Sequence, residues 1–374
     1  MCFDIPEGDE YSLKNITLGG STPGTSDFGG VGLQIRTIGK GSLVMSKVNP
    51  DFGGSDVSSM VLEKGVVKKG AGATCGEMYS RIQVRDGAQF DLNGLTSDHY
   101  DYTIYGAGPN GTGALVSKAA MEASAVYTES CIGLLRNITL GTNATVFAYD
   151  NMGMVYDSYK ANTMTMKGYA VTYDGPNRDC RIFLGNMSYS GVGKIVVAPN
   201  GWVQTHSASP TAKDCDVEVY GRYWQNSGNL TPVKSLRFMA GSSFRELNTN
   251  AVPITVYTTY APPPNSESAT GYNKRPCVQL GDASHLNTTL DLSHWTTTFD
   301  DSAEGTLTFY AGTTVTVDIG DRTSGLGGYA YRWKTKPAST VKFRRTESMA
   351  RRGIHIVPDD DGIRFQTGIT IIIR

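Results

Sequence analysis

The amino-acid sequence predicts an all-β protein, an irregular parallel β-helix (solenoid) of short strands with glycine-rich corners. Three observations predict it: a recurring strand–glycine–strand pattern, a composition rich in glycine and poor in charge, and runs of alternating β-branched or aromatic residues. Glycine supplies 44 of 374 residues, and charged residues make up only 18%, against a usual ~25%. Such a chain has many turns and little surface charge. Tandem β-sandwiches are the alternative fold.

The recurring pattern has two apolar residues flanking a single residue, a glycine three positions later, and apolar residues again after it. Alternate residues of a strand share one face, and glycine adopts backbone conformations closed to other residues, so each copy predicts two short strands and a corner. The clear copies are Ile82, Val84, Gly87, Phe90, Leu92; Leu236, Phe238, Gly241, Phe244; and Leu307, Phe309, Gly312, Val315, Val317. Looser copies, with a later glycine, are Ile195, Val197, Gly201, Val203; and Ile354, Ile356, Gly362, Phe365.

Further strands are predicted wherever β-branched or aromatic residues alternate. These runs are Met164–Met166, Ile254–Tyr260, Val315–Val317 and the terminal Ile369–Ile373. Residues 114–126 are rich in helix formers but form a short segment between strand-like regions, so helix and strand both remain open there. The heptapeptide Leu13–Gly19 recurs as Leu135–Gly141 with one Lys to Arg change, but the corner glycines follow no fixed period. The solenoid is therefore expected to be irregular.

Three consecutive prolines, Pro262 to Pro264, mark the best candidate for a protruding loop or a domain boundary. Proline cannot donate to a sheet ladder. We therefore expect residues 1–261 to form a β-solenoid and residues 262–374 to form further coils or a cap that continues it.

Charge and hydropathy exclude two classes of partner. The net charge is −1 and the isoelectric point is near 6.5, so no overall field attracts nucleic acid or an anionic membrane. No apolar run approaches the ~18 residues of a membrane helix, so direct membrane insertion is not expected.

The sequence has six cysteines, and their spacing is not that of metal ligands. They can pair in an exported protein or lie as small apolar residues in the core. They are Cys2, Cys75, Cys131, Cys180, Cys215 and Cys277.

Glycine-rich stretches recur at Gly70–Gly76, Asp86–Gly94, Gly106–Val116, Tyr189–Val197 and Leu307–Val317. These stretches resemble the autotransporter-passenger-like repeat proteins of bacterial cell surfaces. The resemblance runs from about residue 60 onward. It implies an exported chain, extracellular or at the cell surface, folded as a parallel β-helix. That family has no catalytic signature to carry over. Because Met1–Glu7 lacks the basic region and apolar run of a signal peptide, we expect the chain to be part of a longer polypeptide.

One segment satisfies the spacing of a dinucleotide-binding glycine loop. Gly106-Ala107-Gly108-Pro109-Asn110-Gly111 follows a strand-like run, but Pro109 removes an amide and no βαβ alternation surrounds it. A glycine corner between coils is the better interpretation.

A second segment, residues 91–105, concentrates polar and aromatic side chains. Its members are Asp91, Asn93, Asp98, His99, Tyr100, Asp101, Tyr102 and Tyr105. Paired carboxylates serve sugar hydrolysis, and an exposed aromatic ring can stack on a sugar. The simpler interpretation is a turn, with the Asn-Gly step supplying a positive φ.

Three other groups are weighed for binding. Asp359 to Asp361 offers oxygen ligands for calcium but lacks EF-hand spacing, so a charged turn is favoured. A basic stretch that follows Tyr329, Tyr331 and Trp333 can bind single-stranded nucleic acid or an anionic polysaccharide. With neutral overall charge, a solvated face or a cover for an exposed sheet edge is favoured. The cations of this stretch are Lys334, Lys336, Lys342, Arg344, Arg345, Arg351 and Arg352. The histidines are expected to be isolated: His99, His206, His285, His294 and His355.

The sequence therefore favours a non-catalytic extracellular or cell-surface β-solenoid that acts as a stalk or adhesin and contacts glycans or proteins. The alternatives are a polysaccharide lyase or glycoside hydrolase on a β-helix scaffold, and a virion tail-spike-like trimer. Catalysis is not favoured, and no catalytic, cofactor-binding or metal-binding residue is assigned. No cofactor and no nucleic-acid partner are expected. A monomer is favoured.

Overall fold

The structure is a computed structural model, and it describes most but not all of the chain. The described residues are 2–14, 17–18, 34–46, 49–50, 59–70, 81–93, 101–118, 137–149, 152–154, 162–184, 187–205, 211–225, 230–246, 253–266, 275–301 and 307–368. Strands account for 56% of the structure and helices for 3%, which confirms the all-β prediction. The chain divides into two compact units, Met1–Pro210 and Thr211–Arg374.

The described residues of the first unit form twenty short strands and one 3₁₀ turn. The strands are β1 Cys2–Phe3, β2 Glu10–Lys14, β3 Thr17–Leu18, β4 Gln34–Thr37, β5 Ser42–Ser46, β6 Asn49–Pro50, β7 Ser59–Leu62, β8 Gly65–Lys69, β9 Arg81–Val84, β10 Ala88–Asp91, β11 Asp101–Gly106, β12 Leu115–Ser117, β13 Asn137–Ala148, β14 Met152–Met154, β15 Asn162–Thr165, β16 Ala170–Asp174, β17 Arg181–Leu184, β18 Met187–Ser190, β19 Gly193–Val197 and β20 Trp202–Thr205. The 3₁₀ turn is Pro109–Gly111.

These strands stack in parallel columns, with each coil adding one strand to each column. The first column is β1, β4, β7, β9, β11, the start of β13, β15 and β18. The second is β2, β5, β8, β10, β12, the end of β13, β16 and β19. Shorter ladders, β3 with β6 and β14 with β17 and β20, form a third side. Parallel stacking of successive coils is a β-solenoid, so the predicted fold class is confirmed and tandem sandwiches are excluded.

In the part of the second unit that the structure describes there are fifteen strands and one short helix. They are β21 Ala212–Val219, β22 Arg222–Gln225, β23 Val233–Phe238, β24 Ser243–Glu246, β25 Ile254–Ala261, β26 Asn265–Ser266, β27 Val278–Leu280, β28 Asn287–Asp291, β29 Phe299–Asp300, β30 Leu307–Phe309, β31 Thr314–Asp318, β32 Tyr329–Arg332, β33 Lys342–Arg345, α1 Glu347–Arg351, β34 Ile354–Pro358 and β35 Gly362–Thr367.

The second unit also stacks its strands in parallel. β21, β23 and β25 form one column, which divides because the start of β25 pairs with β27 and its end pairs with β28. β27 continues to β30, and β28 continues to β31 and β33. The third side is β22 with β24 and β26, and β29 with β32.

The core follows the alternation that the sequence shows. Strands such as β8 and β19 alternate buried and half-buried residues, because successive side chains point to opposite faces. Aromatic rings fill the interior of the second unit: Tyr223 stacks on Phe244 at 6.1 Å, and Phe238 meets Phe244 edge-on at 5.9 Å. Apolar side chains of neighbouring coils thus pack on one another inside the solenoid.

The clear copies of the corner pattern form the predicted corners. Gly87, Gly241 and Gly312 have φ of +78°, +83° and +83°, with no atom within 4 Å of a Cβ added there. The flanking apolar residues Val84 and Phe90 are buried. Glycine is needed at these corners for its backbone conformation alone.

The last looser copy is not a corner between parallel strands. Ile354 and Ile356 lie in β34, which pairs antiparallel with β35, and Gly362 begins β35. β35 also pairs antiparallel with β32. The two predicted strands form at Ile354–Pro358 and Gly362–Thr367, but the six-residue step from Ile356 to the glycine lets the chain reverse direction in a hairpin, so they are not joined by a corner between parallel strands.

One local prediction is corrected, and one that was left open is decided in part. Pro262 and Pro263 are buried between β25 and β26, so they are not a protruding loop. Within residues 114–126, Leu115–Ser117 is strand β12, and residues 119–126 lie outside the described residues, as do Ile369–Ile373. The domain boundary after residue 261 stays a prediction.

A buried ionic group lies inside the second unit. Asp301 accepts hydrogen bonds at Oδ2 from the Leu307 amide at 2.9 Å and the Tyr331 hydroxyl at 3.4 Å. Arg275 Nη1 lies 4.0 Å from Asp301 Oδ1, and its guanidinium lies 4.6 Å from the centre of the Phe299 ring. Because a buried carboxylate needs such partners, this group fixes the packing of the coils around it.

Candidate functional site: an aromatic corner in the second unit

The candidate site is a corner where three successive coils place residues at equivalent positions. Strand β25 pairs with β27, and β27 pairs with β30, so Tyr257, Gly281 and Tyr310 stand one above another. The Gly281 amide donates to the Val256 carbonyl at 2.9 Å, and the Tyr310 amide donates to the Leu280 carbonyl at 3.0 Å. Two tyrosines thus flank a glycine on the outside of the coils.

The loop after Gly281 fills the space that the glycine leaves. Asp282 Oδ1 accepts hydrogen bonds from the amides of Ser284 at 2.8 Å and His285 at 2.9 Å, which is an Asx turn. The same oxygen lies 2.8 Å from His285 Nδ1. Gly281 has a φ of +79°, and an added Cβ would lie 2.6 Å from the His285 carbonyl oxygen. Only glycine allows this loop to fold back onto the coil.

The fold-back brings the His285 imidazole onto the Tyr257 ring. The two ring centres are 3.8 Å apart and the planes differ by 12°, which is a parallel stack. The His285 side chain is 40% exposed and that of Asp282 is 32% exposed. Leu286, 40% exposed, follows His285 in the chain, and Tyr310, 37% exposed, stands one coil on from Gly281. We call Tyr257, Asp282, His285, Leu286 and Tyr310 the aromatic corner.

The protonation states of Tyr257 and Asp282 give the aromatic corner a hydrogen-bond donor and a hydrogen-bond acceptor. Desolvation, followed by the charges of Asp282 and Asp214, raises the pKa of Tyr257, so its phenol keeps its proton. Desolvation raises the pKa of Asp282, but hydrogen bonds from His285 and from the Ser284 amide outweigh it, and the pKa lies below its usual range. At neutral pH the corner therefore presents a phenol hydroxyl beside a carboxylate.

A second carboxylate close by is already engaged. Asp216 Oδ2 lies 2.8 Å from Lys234 Nζ, and Asp216 Oδ1 accepts a hydrogen bond from Ser235 Oγ at 2.6 Å. These bonds outweigh desolvation and lower the pKa of Asp216. Lys234 balances the charge of Asp216. The two acids whose charges raise the pKa of Tyr257 are Asp282 and Asp214.

The polar cluster at residues 91–105 does not assemble into a site within the described residues. Asp91 is only 1% exposed, and its Oδ1 accepts the amides of Asn93 at 2.8 Å and Lys118 at 3.0 Å. Asp101 accepts a hydrogen bond from Asn137 Nδ2 at 2.9 Å, and Tyr102 is buried in the core. Asp98, His99 and Tyr100 lie outside the described residues. Asp91 therefore holds backbone together, and Asn93, with a φ of +52°, supplies the predicted turn.

The dinucleotide-like segment is a glycine corner, as favoured from sequence. Gly106, Gly108 and Gly111 all have positive φ, and Pro109–Gly111 is a single 3₁₀ turn. The buried Gln89 donates through Nε2 to the carbonyl oxygens of Thr112 at 3.0 Å and Gly113 at 2.9 Å. The loop is held by the protein itself, and strands β11 and β12 flank it with no helix long enough to bind phosphate.

The acidic turn is neutralised by cations of the second unit. Arg364 Nε donates to Asp359 Oδ2 at 2.5 Å, and Lys336 Nζ lies 2.6 Å from Asp360 Oδ1. Asp359 Oδ1 accepts the amides of Asp361 at 2.9 Å and Gly362 at 3.0 Å, which closes the hairpin. Among the residues that the structure describes, no group of three or more His, Cys, Asp and Glu side chains could hold a metal ion.

The basic stretch serves structure. Tyr331 and Trp333 are buried, so they are not exposed platforms for nucleotide bases. Arg345 Nη1 donates to the Ile354 carbonyl at 2.8 Å, and Arg352 Nη1 donates to the Gly320 carbonyl at 2.6 Å. These arginines hold the ends of loops, and Lys342 and Arg344 lie on β33, the last parallel strand, where charge discourages edge-to-edge pairing.

Of the cysteines, Cys180 and Cys215 are buried, as expected for small core residues, and Cys75 and Cys131 lie outside the described residues.

No helix in the described part of the chain is long and apolar enough to cross a membrane. Compared with known proteins, the chain matches no family model, no curated protein and no solved structure. The β-solenoid therefore rests on its own strand geometry, and the autotransporter resemblance stays a hypothesis.

Sequence reasoning does not find the aromatic corner. It places Tyr257 in a strand and treats His285 as an isolated histidine. The sequence does contain a signal for this loop. The strand-like run is followed by Gly281 and Asp282, and His285 stands three residues after that Asp. This spacing predicts an Asx turn that returns the histidine to the strand end. The stacking partner one coil away can be found only once the register is known.

Proposed function

We propose that this chain is a non-catalytic extracellular or cell-surface module, a stalk or adhesin whose outward corners contact glycans or proteins. The observation that carries the proposal is the aromatic corner, in which exposed rings stand outside parallel coils whose interior is packed with apolar side chains. A scaffold of this kind holds side chains at regular intervals along a surface. The bacterial and autotransporter-like origin, and the monomeric state, belong to the same proposal.

The test measures binding and catalysis on one preparation. The purified chain is applied to arrays of glycans and of surface proteins, its size is measured in solution, and the same polysaccharides are assayed for depolymerisation. Binding without cleavage by a monomer supports the proposal. A trimer points to the tail-spike alternative, and absence of any glycan or protein ligand contradicts a contact role. Antibody labelling of intact cells of the natural source tests the extracellular or surface location.

A carbohydrate-active enzyme is the second candidate, and one observation favours it. The Asp282–His285 hydrogen bond resembles the carboxylate–imidazole pair that orients a general base. Asp91 does not qualify, because it is buried and both of its described hydrogen bonds hold backbone amides. Depolymerising activity that His285→Gln abolishes, in a variant that still binds the polysaccharide, would replace the non-catalytic proposal with this one.

A further inference from the structure

We propose that the aromatic corner binds a neutral polysaccharide that lies along the stacking direction of the coils, across Tyr257 and Tyr310. This inference rests on the proposed function, because it names the ligand class of the contact surface. Three observations carry it: the spacing of the rings, the acceptor beside them, and the sign of the local charge.

The spacing of the two tyrosines suits a chain of sugar rings. Tyr257 and Tyr310 occupy equivalent positions two coils apart. Parallel strands are about 4.8 Å apart, so the equivalent backbone positions are separated by roughly 10 Å. A short run of pyranose units spans that distance. Between the tyrosines, the loop that follows Gly281 places the His285 imidazole on one face of the Tyr257 ring, and this imidazole, whose side chain is 40% exposed, offers the ring surface there.

The acceptor beside the rings suits sugar hydroxyls. All hydrogen bonds that the structure gives to the Asp282 side chain, from Ser284 and His285, reach Oδ1. The Oδ2 atom of this half-exposed carboxylate therefore remains for a ligand hydroxyl. Aromatic faces bind the apolar C–H face of a sugar while a carboxylate binds its hydroxyl groups, and Leu286 extends the apolar surface.

The local charge favours a neutral ligand over an anionic one. Asp214 and Asp282 both act on Tyr257, whereas Lys234 is paired with Asp216. A uronate or sulfate group at the corner would meet the Asp282 carboxylate, which is 32% exposed. Like charges in contact oppose binding, so acidic polysaccharides are expected to bind weakly.

The experiment uses the full chain and variants at exposed positions. Affinity electrophoresis and calorimetry are run with neutral polymers (β-glucan, xylan, mannan, galactan), acidic polymers (alginate, pectate) and cationic chitosan. Tyr310→Ala, His285→Ala and Asp282→Asn are compared with Tyr11→Ala, which removes a 56% exposed tyrosine of the other unit. Circular dichroism and thermal unfolding check that each variant folds.

We expect a neutral polymer to bind, Tyr310→Ala to weaken it by about tenfold, and Tyr11→Ala to leave it unchanged. Binding only to acidic polymers, binding only to chitosan, binding by no polymer in the panel, or binding that the corner variants leave unchanged would each overturn the inference. If a glycan binds but the corner variants have no effect, the proposed contact function survives and only this site fails. If neither glycans nor proteins bind, both fail.

Discussion

Gly201 lies directly against the carbonyl oxygen of Tyr173, where a Cβ atom at position 201 would come within 2.2 Å of that oxygen. Tyr173 is in β16, and Gly201 precedes β20 of the following coil. Gly201 does not have a positive φ, unlike Gly87 and Gly312. The recurring pattern therefore uses glycine for two physical reasons: an unusual backbone conformation at some corners and close approach of two backbones at another.

Gly201→Ala is expected to destabilise the protein because the new methyl group must displace the backbone. Overpacking of this kind costs about 1–3 kcal/mol. Gly328→Ala is the control, since its nearest neighbour to an added Cβ is 3.8 Å away and its φ is not positive. Urea unfolding followed by circular dichroism measures both. Equal unfolding midpoints for the two variants would contradict the close approach.

Gly312→Ala tests whether glycine is needed at a corner for its backbone conformation. The position has open space around an added Cβ but a φ of +83°. A non-glycine residue in this left-handed region costs roughly 1–2 kcal/mol. Gly312→Asn should cost less, since Asn tolerates the conformation better than Ala. If Ala and Asn at position 312 shift the unfolding midpoint equally, steric or packing effects rather than backbone conformation control this corner.

The sequence predicts the fold class well because the solenoid core depends on the alternation of apolar and other residues within each short strand. Ile82, Val84, Phe90 and Leu92 are all buried, as the alternate spacing requires. The reversal at the C-terminal hairpin is not predictable in the same way. Ile354 and Ile356 alternate like other strand residues, and the direction of a strand relative to its neighbour depends on the connection rather than on its own side chains.

The aromatic corner illustrates what sequence cannot supply. Tyr257 and His285 are 28 positions apart, and their contact depends on the register between β25 and β27. A one-residue slip in the pairing of β25 with β27 would turn Tyr257 to the other face of the sheet.

The buried Asp91 is a second residue whose role the local sequence does not decide. Its neighbours in sequence favour a turn or a catalytic loop, but burial and the Lys118 amide, 27 residues away, decide its role.

High pH is expected to unfold the second unit through its buried tyrosines. Desolvation, followed by the charge of Asp301, raises the pKa of both Tyr260 and Tyr331 well above the ordinary value. A phenol whose pKa is higher in the folded state contributes stability below its unfolded pKa near 10, and that stability is lost as pH rises toward the folded pKa. Tyr260→Phe should therefore move the alkaline unfolding midpoint to higher pH.

Ultraviolet titration of the phenols checks this directly. The buried tyrosines should ionise together with loss of the β-sheet signal. Tyr11→Phe is the matched control and should leave the alkaline midpoint unchanged. If Tyr260→Phe also leaves it unchanged, the ionisation of Tyr260 does not drive alkaline unfolding.

Low pH is expected to loosen the C-terminal hairpin. Desolvation raises the pKa of Asp359, but the hydrogen bonds from Arg364 and from the Asp361 amide outweigh it, so the pKa lies below the usual value. A depressed carboxyl pKa gives stability that is present above the unfolded pKa and lost as pH falls through the folded pKa. The protection factors of the β34 and β35 amides should therefore fall below about pH 4. Asp359→Asn should show the lower protection already at neutral pH, and protection unchanged in that variant would contradict the prediction.

The reactivity of the thiols should separate Cys2 from Cys215. Cys215 is fully buried, and desolvation, followed by the charges of Asp214 and Asp216, raises the pKa of its thiol to about 12. Thiolate is the reactive form, so alkylation of Cys215 at neutral pH requires both exposure and deprotonation. Cys2 is exposed. Peptide-level mass spectrometry after a short iodoacetamide pulse should find Cys2 modified and Cys215 unmodified, and urea should make both react. Rapid labelling of Cys215 in the native protein would mean that β21 opens readily, which its pairing with β23 opposes.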